Sequence, residues 1–123
     1  MVEAVALPAP WQVRFQAGGN EGLADTHKGG IGGSAGMRPH ELLEASLATC
    51  MTISARMALA DLGVTVAEVR VEVHLEREES ATRFRYRLLL DPELEVHRPA
   101  VMERIACSPV RSTLSKPLVF EPA

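Results

Sequence analysis

Residues 38–63, RPHELLEASLATCMTISARMALADLG, constrain this chain more than any other stretch. No glycine or proline interrupts the run between Pro39 and Gly63. Pro39 suits a first helical turn, where its missing N–H is not needed. Glu41 and Glu44 lie in the early turns, where a carboxylate complements the helix dipole, and Gly63 is a natural residue just past the end. The stretch therefore predicts one long helix. Its apolar residues do not keep to one stripe. Leu42, Leu43, Leu47, Met51, Ile53, Met57, Leu59 and Leu62 wrap most of the circumference, and a helix that is apolar nearly all round is expected to be buried. Cys50 falls near its middle, and Ser46, Leu47, Ser54 and Met57 share its face by helical spacing.

Composition narrows what can be built around that helix. The length of 123 residues predicts a single domain over 1–123, and 46% apolar residues suffice for a core. A net charge of −3 with interspersed signs carries no basic footprint for nucleic acid. Polar or charged residues interrupt every apolar stretch, so no membrane span is expected. The start MVEAVALPAPW has no basic region before an apolar core and does not read as a secretory signal. Two cysteines without such a signal suggest a reducing, cytoplasmic setting, where thiols are catalytic, redox-active or simply buried. The separation of Cys50 and Cys107 fits neither a CxxC nor a zinc pattern. His27, His74 and His97 are scattered and define no metal site, so no metal or cofactor is expected.

Trp11, Val13 and Phe15 alternate with polar residues and predict a strand, with AGGNEG turning back into another near Leu23 and Ala24. Eight of the nine glycines fall between Gly18 and Gly36. Two readings of HKGGIGGSAGM stand side by side: a plain linker into the helix, or a loop packed beside a site at the helix entrance. It lacks the ending of a phosphate-binding P-loop. After Gly63, Val69, Val71, Val73 and Leu75 alternate with charged residues, EESA turns, and Phe84, Tyr86, Leu88 and Leu90 alternate with arginines. This predicts a long antiparallel hairpin whose outer charges pair across the strands. Pro99 starts a short helix ending near Cys107, Val110–Leu114 gives one more turn, and Leu118 with Phe120 predicts a last short strand. The order argues for an α+β fold.

The segments PHELLEASLATC and ACSPVRSTL resemble the OsmC/Ohr family, the osmotically induced and organic-hydroperoxide-resistance proteins. The shared pattern is a Pro, a Glu or Gln and a Leu-rich run leading to a cysteine in a buried helix, then a Cys-Pro-Val-like turn followed by Thr-Leu. The resemblance implies an OsmC-like fold, an antiparallel sheet wrapped around long buried helices in an intertwined homodimer with sites at the subunit interface. It also implies reduction of organic hydroperoxides by two cysteines, without metal or flavin, and recycling by an external dithiol. Cys50 matches the family's peroxide-attacking cysteine. Asn20 stands where the Ohr branch has a thiolate-binding arginine. His40, followed by Glu41, stands where that branch has the glutamate that holds it. Ser108, rather than Cys107, directly precedes Pro-Val. In these respects the chain resembles a divergent OsmC-like branch.

A peroxide-attacking cysteine must be a thiolate, and a free thiol titrates at about 8.5. The helix dipole fades within the first turn, well before Cys50. His40 lies about 15 Å away along the helix at ~1.5 Å per residue, and Arg56 faces elsewhere. Arg14, Lys28, Arg38 and Arg111 of either chain remain as activating cations. After attack, Cys50 would become a sulfenic acid and condense with Cys107 or an external thiol. The resemblance implies a site of Cys50 and Cys107, with Arg38, His40 and Glu41 as supporting residues. The alternative is a non-catalytic dimer of the same fold, holding a small apolar ligand at its interface with Cys50 as wall.

Overall fold

The structure is a computed structural model that describes residues 1–65 and 68–123. The chain divides into two compact units, Met1–Leu43 and Glu44–Ala123.

In the N-terminal unit, β1 (Glu3–Ala6), β2 (Val13–Ala17) and β3 (Asn20–Ala24) form an antiparallel sheet in the order β1-β2-β3. Gly18, at φ 60°, makes the two-residue turn between β2 and β3. Trp11 was expected inside β2. It instead precedes the strand at φ 69°, outside the β region in which a non-glycine strand residue lies. The glycine-rich stretch is a built loop. Strands β4 (His27–Lys28) and β5 (Ile31–Gly32) pair within it, and the chain then returns to make a parallel bridge from Met37 to Ala24. Buried Asp25 organises this return, accepting the N–H of Thr26 at 2.8 Å and of Ala35 at 3.0 Å. Gly32 is required here. At φ 100°, a Cβ would stand 1.9 Å from the Thr26 carbonyl oxygen.

Helix α1 runs from Pro39 to Asp61, its first turn belonging to the N-terminal unit. Arg38 precedes it. The Arg38 carbonyl accepts the Leu42 N–H at 3.0 Å, and the Arg38 N–H donates to Glu41 Oε1 at 2.9 Å, half of a capping box. At the other end, Val64 N–H bonds the Leu59 carbonyl and Gly63 N–H bonds the Ala60 carbonyl, with Gly63 at φ 85°. These two bonds are a Schellman motif.

The C-terminal unit packs α1 against a hairpin and two short helices. Strands β6 (Val69–Arg77) and β7 (Thr82–Leu90) pair antiparallel, Val69 opposite Leu90 and Leu75 opposite Phe84. A 3₁₀ helix (Pro92–His97), α2 (Arg98–Ala106) and α3 (Pro109–Leu114) follow. The core joins Leu47, Met51, Ala55, Ala58 and Leu59 of α1 to Leu88, Leu94, Val101 and Ile105. Each fully buried large side chain among these contributes about 1.5–3 kcal/mol of burial. On the hairpin's outer face Arg87 bonds Glu72, Arg85 bonds Glu76 and Arg83 bonds Glu78, all exposed. Such pairs contribute at most ~1 kcal/mol each. The Arg98 guanidinium donates twice to the Leu88 carbonyl, at 3.2 Å, and ties α2 to β7. Glu44 reaches from α1 to β6. Its Oε2 accepts the Leu75 N–H at 2.9 Å and lies 3.7 Å from His74 Nδ1.

One further sequence expectation changes: no strand forms at Leu118–Phe120, where both Leu118 and Phe120 side chains are exposed. Within one chain α1 is covered on one side only, and Ile53 and Met57 remain about half exposed, at 53% and 51%. By length and composition, with a mean hydropathy of 1.2, α1 is apolar enough to cross a bilayer. Core helices meet the same criterion, and one face of α1 packs into the core.

Candidate active site

The helix brings Cys50 to the middle of α1, half-buried and with a free thiol. Its nearest hydroxyl neighbours in sequence are committed elsewhere. Thr49 Oγ1 donates to the Ala45 carbonyl at 2.7 Å, and Thr52 Oγ1 to the Ala48 carbonyl at 2.8 Å. Such back-bonding turns both hydroxyls into the helix's own backbone.

The partner of Cys50 comes from the turn between α2 and α3. Ser108 is completely buried, and its Oγ donates to Cys50 Sγ at 3.1 Å. Local folding fixes this placement. The Ser108 N–H bonds the Ile105 carbonyl at 3.0 Å, which closes α2, and its own carbonyl accepts the Ser112 N–H at 2.9 Å, which opens α3. Pro109 at the first position of α3 holds the turn. A serine at this position usually turns its hydroxyl onto the helix's first N–H groups. Ser108 makes no such bond.

Cys107, one residue earlier, ends α2. Its N–H bonds the Arg104 carbonyl at 3.0 Å, and its thiol is free and exposed. Arg38 and Glu41 meet through the bond that opens α1, and they and His40 are exposed within the N-terminal unit. Asn20 is the first residue of β3, paired with Ala17. Among the described residues, no hydrogen bond joins Cys50 to a cationic side chain, and no cluster of His, Cys, Asp or Glu could hold a metal. The sequence marked Ser108 only as a departure from a motif. The signal that it faces Cys50 lies in the Ser-Pro pair, which fixes a helix start but leaves the direction of the hydroxyl open.

Farther along α1, Ile53, Arg56, Met57, Leu59, Ala60, Val64 and Thr65 line an open hollow of about 290 Å³. Its walls are mainly aliphatic, with one guanidinium.

An antiparallel hairpin on a long cysteine-bearing helix, with a serine turn closing on the sulfur, defines an α+β thiol protein. The chain belongs to the OsmC-like protein family, whose model matches residues 32–122. Solved structures share the fold. A Psychrobacter arcticus protein named for osmotic stress induction and detoxification response is 18% identical, with a TM-score of 0.76 over 91% of this chain and 85% of that one. An OsmC-like protein from Mycoplasma pneumoniae is 14% identical, with a TM-score of 0.68 over 93% and 85%. A Vibrio cholerae protein named for organic hydroperoxide resistance, with captopril in one of its active sites, is 16% identical, with a TM-score of 0.61 over 94% and 84%. No functionally curated protein matches the sequence.

Proposed function

We propose that the protein is a thiol-dependent peroxidase that reduces organic hydroperoxides through Cys50. The observation that carries this reading is the buried Ser108 hydroxyl donating to the sulfur of a half-buried helix cysteine. The contact fixes the direction of the sulfur, the atom that attacks the peroxide as its thiolate. Family membership supports the reading, as do Vibrio cholerae and Legionella pneumophila neighbours named for organic hydroperoxide resistance.

In the first step a Cys50 sulfur lone pair attacks the terminal oxygen of the hydroperoxide. The S–O bond forms as the O–O bond breaks, and the alkoxide leaves and takes a proton from water. Sulfur is oxidised to a sulfenic acid and the peroxide is reduced to an alcohol. A second thiol, either Cys107 or an external dithiol, then displaces water to form a disulfide, and further dithiol restores both thiols. No metal or cofactor takes part in this reading. The working form is a homodimer in the cytoplasm, in which a second copy covers Ile53 and Met57. Arg38, His40 and Glu41 are the supporting residues at the start of α1.

Steady-state turnover of cumene hydroperoxide with dithiothreitol tests the reading. Wild type turns over and Cys50→Ser does not. Turnover that survives Cys50→Ser, or none in the wild type, refutes it. The aliphatic hollow of about 290 Å³ favours a second reading, a dimer that binds a small apolar ligand without chemistry. Saturable binding of an apolar fluorescent probe, lost in Met57→Asp and seen without peroxide turnover, would select it.

A further inference from the structure

The Ser108–Cys50 contact carries an inference that rests on the peroxidase reading and deepens it. We propose that Ser108 is a positioning residue for the Cys50 sulfur, its hydroxyl hydrogen holding the thiolate in one orientation. Three observations converge on this. Ser108 has no exposed surface, so its hydroxyl needs a protein partner. As the N-cap of α3 it forgoes the usual bond to the helix N–H groups. Its one hydrogen-bond acceptor is Cys50 Sγ, at 3.1 Å. A thiol sulfur is a weak acceptor, whereas hydrogen bonds to an ionised acceptor are roughly twice as strong as neutral ones. The hydroxyls of Thr49 and Thr52, bound to helix carbonyls, do not substitute for the Ser108 contact. The same geometry places the Ser108 side chain where a sulfur atom would meet Cys50.

Two experiments that use no peroxide separate this inference from the peroxidase reading. The first is the pH profile of iodoacetamide alkylation, read site by site by mass spectrometry in wild type and Ser108→Ala, with Cys107 as internal reference. Loss of the hydrogen bond that orients the sulfur slows Cys50 alkylation about tenfold at neutral pH, with the Cys107 profile unmoved. Superimposable Cys50 profiles overturn the proposal. The second keeps the question open to refutation if Ser108→Ala fails to fold. Ser108→Cys in a Cys107→Ser background is treated with diamide, and thiols are counted. Loss of both thiols per chain as an intramolecular disulfide is expected. Retention of both overturns the placement. Absence of hydroperoxide turnover alongside slowed Cys50 alkylation in Ser108→Ala would refute the peroxidase reading and leave Ser108 in its role.

Discussion

Asp25 is a small perturbation site with a consequence that can be calculated. The side chain is 2% exposed, and each carboxylate oxygen accepts one backbone N–H, from Thr26 and from Ala35. Hydrogen bonds to charged groups contribute about 1.5–3 kcal/mol each, so Asp25→Ala removes about 3–6 kcal/mol of local interaction. Thr26 is only half-buried and Ala35 is exposed. Water reaches the freed N–H groups, and the net loss falls near the lower bound, about 3 kcal/mol. Asp25→Asn keeps one acceptor and turns an N–H₂ group toward the other donor, so it loses about half as much. Amide hydrogen exchange is the suitable assay, because it reads the opening of this loop without requiring the two units to unfold together. A loss of about 3 kcal/mol accelerates exchange at Ala35 by about two orders of magnitude, with Asp25→Asn between Asp25→Ala and wild type. Unchanged exchange at Ala35 in Asp25→Ala would refute the argument that this carboxylate holds the glycine loop.

Four further outcomes are expected. Gly63→Ala costs about 1–2 kcal/mol in urea unfolding, because φ 85° is unfavourable to a Cβ that would touch nothing within 4 Å; Gly63→Asn costs less. The hydrogen bond from the Arg98 guanidinium holds the Glu95 carboxyl below its usual value of 4.5, against a smaller opposing effect of desolvation. This contribution to stability is complete above that value and fades as pH falls through the lowered one, so Arg98→Gln moves the Glu95 midpoint upward in an NMR titration. Cumene hydroperoxide outperforms hydrogen peroxide in kcat/KM, because an alkyl group gains about 0.8 kcal/mol per buried CH₂ beside apolar walls; equal values would remove the apolar-pocket argument. Light scattering at micromolar concentration gives a dimer, and Ile53→Glu, at a position 53% exposed in the single chain, shifts it to monomer.

Much of the fold was legible because its signals are local. Pro39 and Gly63 delimit α1 to within two residues of Pro39–Asp61, since each acts on its own backbone. The alternation in β6 and β7 yields both the hairpin and its charged face. The weaker elements were not legible. Strand β1 and the two-residue pair β4-β5 draw their definition from pairing with other segments. The Leu118–Phe120 alternation finds no strand to pair with among the described residues and forms none. At the site, a cysteine in the middle of α1 could be read from the sequence. The hydroxyl facing it could not, because a serine before Pro109 has two possible destinations, and only tertiary packing selects the sulfur.

The bond from the Leu75 N–H to Glu44 also bears on how this chain meets other strands. In an antiparallel pair successive N–H groups point to opposite sides. With the Leu75 N–H turned away from β7, those of Val71 and Val73 point the same way, along the outer edge of β6. Such an edge is a template for an added strand. Among the described residues no other strand pairs with that edge, and Glu44 occupies it at Leu75, so a strand adding by backbone pairing either stops short of Leu75 or displaces a carboxylate. One side chain of α1 thus limits the length and register of any sheet extended on that edge.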